Sequence, residues 1–436
     1  MGFQLPSCLL PARRPASFSE HDYLIGVRGI LVIQSFLWVF LQTFVPTTVK
    51  DSDNVSGPLY QVIIRKTLSV LFWNDALIYS SFIFLSARTL CLPFLKNPTR
   101  VTASSSIFRR GVRLWFPTTV AFSLSTLLFH TLGISYISAF IDGTNNLSIG
   151  VPRQIPSFLN WFNSLFEIFW VSKKESLQAA NTAFPAQTLW MVSVIFMQSY
   201  TVYMTMVTLP YTRPAWRVKA LLFFVITAWW VQSWAWYSVS GLLLADAVVN
   251  MDFKALSARG LKLPMARSFR LPYSVFYGVL MAAGIVMQYL WTAWRPDYED
   301  MELRGHTGLY NSGPLNMGDD VDLPQARDDN YLIIIGFFLL LETHDWLQTI
   351  FRTPFFVYLG RRSLSYFLIQ PIIVYTAGIK LFTHLHFSLH WAYASSTFTC
   401  LLACLPLVVV SVEIWYRIVD YPAAAFAMMA WDWVRK

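Results

Sequence analysis

The chain has 436 residues, of which 55% are hydrophobic and only 13% are charged, and its formal net charge is +9. Soluble domains carry about 25% charged residues, so this composition excludes an ordinary soluble globular domain and indicates a polytopic membrane protein. The basic residues are scattered through short loops and form no long stripe. This pattern argues against a nucleic-acid partner.

Apolar stretches follow one another along the whole chain. A hydrocarbon core ~30 Å thick needs about 20 apolar residues for each helix that crosses it. By this criterion the sequence predicts spans at 24–45, 68–92, 112–131, 188–209, 272–295, 331–350, 363–382 and 391–415. The stretch 219–250 is too long for one helix and is predicted to form a hairpin, split near Gln232 to Tyr237. The prediction is an all-α fold with about ten transmembrane helices.

The loop charges predict the orientation, because lysine and arginine accumulate on the cytoplasmic side of a membrane. With ten spans, five basic segments share one side, and the opposite side receives the loops 46–67 and 132–187 and the acidic run Asp319, Asp320 and Asp322. Both termini are therefore expected in the cytoplasm. The expected organisation is an N-terminal arm 1–23, a transmembrane domain 24–428 and a tail 429–436, in the endoplasmic reticulum or another endomembrane.

Two features are predicted for the lumenal loops. The tripeptides that start at Asn54 and Asn146 are glycosylation sequons, so the chain is expected to be a glycoprotein. The segment 157–171 is apolar and aromatic but too short for a span, and Asn160, Asn163 and Glu167 interrupt it. It is predicted to be an interfacial or re-entrant helix.

Ionisable residues inside predicted spans are candidates for function, because burying them in hydrocarbon is costly. A cytoplasmic group of arginines suits a phosphate-rich ligand such as an acyl-coenzyme A, since a guanidinium group binds phosphate through two hydrogen bonds. The alternative is that arginines at a helix start contact lipid head groups. The arginines assigned to the ligand are Arg28, Arg88, Arg109, Arg110 and Arg113.

Three residues are candidates for proton transfer: His344, Asp75 and His130. A histidine can take a hydroxyl proton near neutral pH, but neighbours one residue apart in a helix point in different directions, so Asp345 is a poor partner for His344. A structural or interfacial role is the alternative for His344. For Asp75 and His130 the alternatives are a helix-end acid and a polar residue at the membrane boundary.

Several segments, in order, resemble the acyltransferase-3 family of integral-membrane O-acyltransferases, particularly its fungal members. They cover about residues 21 to 428 and are "LIGVRGILVI", "FWNDALIYSSFIFLSARTL", "IFRRGVRLWFP", "TLWMVSVIFMQSYTVY", "VSGLLLADAVV", "YLGRRSLSYFLIQP" and "YRIVDYPAAAF". The resemblance implies a ten-helix core that transfers an acyl group from cytoplasmic acyl-coenzyme A to a hydroxyl of a sugar, lipid or secondary metabolite. Acyl-coenzyme A would be a co-substrate, with no bound cofactor or metal.

The sequence departs from that family at three polar positions. The family places a histidine after the arginine of its first span with ten residues between them, and this position is Val39. The family's glutamate in the "LW…VE" element falls on Ile195, and the histidine of a late element falls on Gln370. Valine and isoleucine cannot move protons. An acyltransferase of this kind therefore needs a relocated base, for which His344 is favoured over His130 and Asp75.

Two other functions remain open from the sequence. One is a membrane cyclase or isomerase of a terpenoid or polyketide, in which the rings of "AWWVQSWAWY" stabilise cationic character and Asp75 donates a proton. The other is a catalytically inactive relative that binds or transports a lipid or metabolite. The partners expected in each case are a small-molecule ligand and membrane lipids, and the sequence leaves the oligomeric state open.

Overall fold

The computed structural model describes residues 21–170, 175–262, 270–298 and 324–435. The predicted N-terminal arm up to residue 20 and the acidic run Asp319, Asp320 and Asp322 lie outside the described residues. The described residues form helices almost throughout, together with one antiparallel pair of two-residue strands, β1 (Leu261–Lys262) and β2 (Arg270–Leu271). The predicted helical fold class is thus confirmed.

The first half of the chain contains α1 Asp22–Phe44, α2 Leu59–Thr67, α3 Ser69–Phe72, α4 Asp75–Leu90, α5 Leu92–Lys96, α6 Arg100–Leu132, α7 Ser135–Thr144, α8 Phe158–Trp170, α9 Ala179–Ala183 and α10 Trp190–Met206. The second half contains α11 Pro214–Trp230, α12 Ala235–Asn250, α13 Phe253–Ala258, α14 Tyr273–Tyr289, α15 Asp328–Thr343, α16 Asp345–Phe351, α17 Pro354–Arg361, α18 Ser363–Ile373, α19 Ile379–Thr383, α20 Tyr393–Trp415 and α21 Tyr421–Arg435.

Within the described ranges, seven helical segments are long and apolar enough to cross a membrane: Asp22–Phe44, Ser69–Lys96, Arg100–Leu132, Pro185–Tyr211, Tyr273–Trp294, Ser363–Ser388 and Tyr393–Arg435. The pair α15 and α16, bent by 104°, makes an eighth if it counts as one span. The chain is therefore a multi-pass membrane protein. The predicted hairpin is broken at 231–234, where Gln232 has a φ of 51°, into helices of 17 and 16 residues.

The helices fall into two compact units. Unit 1 comprises Met1–Phe44, Ser104–Val192 and Phe351–Lys436, and unit 2 comprises Val45–Ala103 and Ser193–Ile350. Each unit combines segments that are distant in the sequence.

In unit 1, the backbone of α1 touches that of Phe351, the last residue of α16, and that of α17. A Cβ atom at Gly26 would overlap the carbonyl oxygen of Phe351, and one at Gly29 would overlap that of Phe356. From the other side, a Cβ at Gly360 would overlap the carbonyl oxygen of Ile25. Small residues let membrane helices pack this closely, which gives a physical reason for the glycines of "LIGVRGI" and "YLGRRS".

Unit 2 contains two close helix–helix contacts that are also made at glycines. Gly241 of α12 faces α4, where a Cβ would lie 2.8 Å from the carbonyl oxygen of Phe84. Gly284 of α14 and Gly336 of α15 face each other's helices, with a Cβ at Gly336 lying 2.7 Å from the backbone nitrogen of Met281. The helix that carries Asp75 and Arg88 is thereby held by α12.

The sequon at Asn146 has a structural use. The side chain is 1% exposed, and its Nδ2 atom donates to the carbonyl oxygens of Gln42 at 3.0 Å and Thr43 at 2.9 Å, in the last turn of α1. These bonds satisfy carbonyl groups that a helix end leaves without intrahelical partners. Asn54, in contrast, is half-exposed, so it is the better placed of the two for a glycan.

Candidate functional site

Four of the five arginines predicted to bind a phosphate-rich ligand belong to unit 1. Arg28 lies on α1, while Arg109, Arg110 and Arg113 lie on α6. The charges of Arg110 and Arg113 act on the Arg28 guanidinium group, so the structure brings these three together. Arg109 Nε donates to the carbonyl oxygen of Ser105 at 3.1 Å, along its own helix. Arg113 is exposed and the other three are half-buried.

A second cationic group in unit 1 surrounds Glu413. Its Oε2 atom accepts hydrogen bonds from Arg362 Nε at 2.7 Å and from the Tyr358 hydroxyl at 2.9 Å, and its Oε1 atom accepts one from Arg417 Nε at 2.8 Å. Partial burial and the bond to Glu413 raise the pKa of Tyr358 above its usual value. Glu413 is therefore a carboxylate fixed by its neighbours.

Arg88 has a different environment from the other four. It belongs to unit 2, its side chain is 0% exposed, and it binds Glu342, whose side chain is 2% exposed. Arg88 Nη2 lies 2.8 Å and Arg88 Nε 3.1 Å from the same oxygen, Glu342 Oε1. The residue predicted to bind a phosphate-rich ligand thus has a buried carboxylate as a partner, which the sequence did not indicate.

His344 forms the break between α15 and α16. Its backbone is extended, with φ −114° and ψ 109°, and its Nδ1 atom lies 2.7 Å from Thr343 Oγ1 and 3.1 Å from the carbonyl oxygen of Leu340. Gln348 Nε2 donates to the carbonyl oxygen of Leu341 at 3.0 Å. Side chains of this kind satisfy the carbonyl groups that a broken membrane helix exposes. One imidazole nitrogen thus has a structural use.

His130 is exposed near the C-terminal end of α6. It shares unit 1 with the arginine group but lies at the far end of the helix that carries Arg113. Seventeen residues separate the two, which at 1.5 Å per residue is about 25 Å. One ligand smaller than this cannot contact both.

Asp75 is the first residue of α4, next to the capping residue Asn74. Its Oδ1 atom accepts a hydrogen bond from the backbone of Ala76 at 2.8 Å, and its side chain is hydrogen-bonded to that of Asp51. Lys50 Nζ lies 3.8 Å from Asp51 Oδ1. Unit 2 therefore holds a pair of carboxyl groups beside a lysine that is almost completely buried.

The proton that this carboxyl pair shares can be assigned. Partial burial acts to raise the pKa of Asp51, but the positive charges of Lys50 and Arg327, the hydrogen bond from Asp75 and the charge of Arg65 together hold that pKa below its usual value. A hydrogen bond between two carboxyl groups needs one proton. Asp51 is thus the ionised acceptor, and Asp75 is the donor.

The three positions that depart from the acyltransferase-3 pattern are filled in different ways. Val39 is 1% exposed. Gln370 and Ser35, both buried, form a hydrogen bond from Nε2 to Oγ of 2.6 Å. Ile195 lines a narrow gap in unit 2 with the hydroxyl groups of Ser86 and Ser238. Gln370, at the position of the late histidine of the family, therefore makes a polar contact with α1, whereas the position of the first-span histidine holds a buried valine.

Sequence reasoning missed Asp51 and Ser35. Asp51 lies in a loop between helices, outside every predicted span, so the criterion of a charge in hydrocarbon did not apply to it. The available signal was the dense polar run "KDSDN" at 50–54, a few residues after the first span. Ser35 is a small residue in an apolar helix, for which the sequence carries no such signal.

Comparison of the chain with models of protein families, with curated proteins and with solved structures gives no match. The resemblance to the acyltransferase-3 family thus remains a prediction from the quoted motifs.

Proposed function

We propose that the protein is a membrane-bound O-acyltransferase that transfers an acyl group from acyl-coenzyme A to a hydroxyl of a lipophilic metabolite, lipid or sugar. The observation that carries the proposal is the group formed by Arg28, Arg110 and Arg113. Three cations within electrostatic reach of one another attract an anion with several charges more strongly than a single arginine does. The phosphates of coenzyme A are such an anion.

Contacts among the motifs of unit 1 support the same proposal. "LIGVRGI" packs on "YLGRRS" where Gly360 approaches the carbonyl oxygen of Ile25. Ser365 of the latter segment donates to Asp420 of "YRIVDYP" at 3.0 Å, and Arg113 of "IFRRGVR" acts electrostatically on Asp420. Four segments that are far apart in the sequence thus contribute to one arrangement, as expected for parts of a common site.

In the proposed reaction, the oxygen of the acceptor hydroxyl attacks the thioester carbonyl and the C–S bond breaks. The products are an ester and coenzyme A, whose thiol receives the proton that the hydroxyl loses. A base must take that proton. His344, Asp75 and His130 remain the candidates. We also propose ten spans with cytoplasmic termini in an endomembrane, so that the arginines face the cytoplasmic donor.

The test is transfer of label from radiolabelled acetyl-coenzyme A to ester in membranes that contain the protein and candidate acceptors. A hydrogen bond to a charged group contributes about 1.5–3 kcal/mol, so Arg113→Ala is expected to raise the KM for the donor at least about tenfold. Arg213→Ala, an exposed arginine of unit 2, is the control and is expected to leave the KM unchanged. Equal KM values for the two variants, or no ester with any acceptor, would contradict the proposal.

A second candidate function is proton-initiated cyclisation or isomerisation, and the Asp51–Asp75 pair favours it. A carboxyl group that donates its proton in a hydrogen bond to a neighbouring carboxylate is suited to act as a general acid. The aromatic residues offer less support, because Trp236 stacks on Tyr331 at 4.4 Å and Tyr237 packs against the edge of the same ring. These rings pack against one another in unit 2.

The carboxyl pair predicts a pH dependence of stability. Because the pKa of Asp51 is lower in the folded protein than in the unfolded chain, this group stabilises the fold above its unfolded pKa of about 3.9, and the contribution disappears as the pH falls through the folded value. We expect the melting temperature of the unmodified protein to fall more steeply between about pH 5 and pH 3 than that of Asp51→Asn. Parallel curves would show that Asp51 is not an ionised acceptor.

A further inference from the structure

The segment from Gln154 through α8 runs alongside α6. Gln154 Nε2 donates to the carbonyl oxygen of Phe129 near the C-terminal end of α6, at 3.5 Å, and the ring of Phe166 lies 6.4 Å from that of Trp115, near the middle of α6. At 1.5 Å per residue, Trp115 and Phe129 are about 20 Å apart along the helix. The segment from Gln154 through α8 therefore runs back along a candidate membrane span, as expected for a re-entrant helix.

The sequence of α8 divides its surface into three sectors. Leu165, Ile168 and Phe169 are buried against unit 1. The second sector is apolar and exposed, and it consists of Phe158, Leu159, Phe162 and Trp170. Phe162 and Phe166 pack at 4.6 Å along this sector. An exposed apolar face on a helix beside a membrane span is suited to contact with lipid chains.

The third sector is polar and opens into a cleft of about 610 Å³. Its lining residues include Asn160, Asn163, Ser164 and Glu167 of α8, with Arg153, Gln154 and Trp170. Most of them are exposed, so the cleft is open to the exterior. Hydrogen-bonding groups at membrane depth are costly unless they face water or a polar ligand. A row of them beside a lipid-facing surface indicates that the cleft holds something polar.

We propose that this cleft binds the neutral, hydroxyl-bearing headgroup of a membrane lipid, whose acyl chain lies along the exposed apolar sector of α8. Asparagine amides both donate and accept hydrogen bonds, and the Glu167 carboxylate accepts from hydroxyl groups. Arg153 lines the same cleft, so its positive charge balances that of the Glu167 carboxylate, which favours a headgroup without net charge. The proposal concerns binding alone and stands whether or not the protein transfers an acyl group.

The test uses the full-length protein in phosphatidylcholine nanodiscs and a monoacylglycerol probe with a diazirine in its acyl chain. The comparison probe has the same chain as a methyl ester, which lacks the hydroxyl groups. We expect the monoacylglycerol to label residues 158–170 about fivefold more than the ester, since one hydrogen bond contributes about 1 kcal/mol. Equal labelling by the two probes would overturn the proposal, and so would labelling that soluble glycerol suppresses as effectively as unlabelled monoacylglycerol.

Substitutions of residues that line the cleft provide a second test of the proposal. Asn163→Leu and Glu167→Gln are each expected to lower labelling by the monoacylglycerol about fivefold, while Asp142→Asn, an exposed carboxylate on α7, leaves it unchanged. Glu167 Oε2 also accepts from the backbone nitrogen of Ala179 at 3.4 Å, so Glu167→Gln alone can affect folding. Asn163 is exposed, and a folded Asn163→Leu variant with full labelling would overturn the proposal.

Discussion

Replacing Gly26 by alanine is expected to prevent stable folding of unit 1. The added Cβ atom would overlap the carbonyl oxygen of Phe351, and this atom belongs to the backbone, so only a shift of a whole helix can relieve the clash. Overpacking costs typically 1–3 kcal/mol when side chains can adjust, and we expect more than about 3 kcal/mol here because they cannot. Size-exclusion profiles and melting curves of the detergent-solubilised protein measure the effect.

Gly111→Ala is a matched control in the same unit. It also lies in a helix, but a Cβ atom there would meet nothing within 4 Å. Alanine is the better helix former by about 0.5–1 kcal/mol, so this variant is expected to be folded and at least as stable as the parent. Gly360→Ala, on the other side of the contact, should behave like Gly26→Ala. A folded Gly26→Ala protein with an unchanged melting temperature would show that α1 and the end of α16 are not in backbone contact.

Replacing Arg88 by methionine is expected to destabilise unit 2 by about 3–5 kcal/mol, the usual cost of removing one partner of a buried ion pair. The substitution removes both hydrogen bonds to Glu342 Oε1 from a carboxylate in a water-excluded environment. The double variant Arg88→Met with Glu342→Leu is expected to recover a large part of the loss, since an apolar pair of similar volume is often as stable as the ion pair. Chemical denaturation in mild detergent measures all three proteins.

The exposed ion pair of the same unit gives the control. Lys254 and Asp345 form a salt bridge with side chains that are 58% and 73% exposed, and such pairs contribute about 0–1 kcal/mol. Lys254→Ala should therefore change stability by less than Arg88→Met does. If the double variant is no more stable than Arg88→Met alone, the loss comes from packing and not from an unbalanced charge.

Hydropathy was sufficient to predict the helical class and the approximate position of each apolar segment, because a long apolar run in lipid must satisfy its backbone internally. It also placed the break in the 219–250 stretch, which the structure locates at 231–234. It did not predict that the 331–350 segment bends by 104° at His344. That bend depends on side-chain bonds to carbonyl groups, which average hydropathy does not describe.

The side-chain contacts of the candidate residues were harder to predict than their positions in the helices. The sequence assigned Arg28, Arg110 and Arg113 to one group because all three lie towards the cytoplasmic ends of their predicted spans. In the structure the charges of Arg110 and Arg113 act on Arg28. Arg88 was assigned to the same group, yet it forms hydrogen bonds with Glu342, 254 residues away. A pairing between distant residues leaves no periodic signal in a single sequence.

The separation of Arg88 from Glu342 has a consequence for synthesis of the protein. Ribosomes add about 5–20 residues per second, so the 254 residues between these partners take on the order of 10 to 50 s to make. During this interval α4 has entered the membrane with its arginine, at a cost of about 2.5–3.5 kcal/mol on insertion scales, and α15 does not yet exist. The nascent chain therefore needs a temporary interaction that stabilises the Arg88 guanidinium group, with the insertion machinery or a lipid phosphate, until Glu342 has been synthesised.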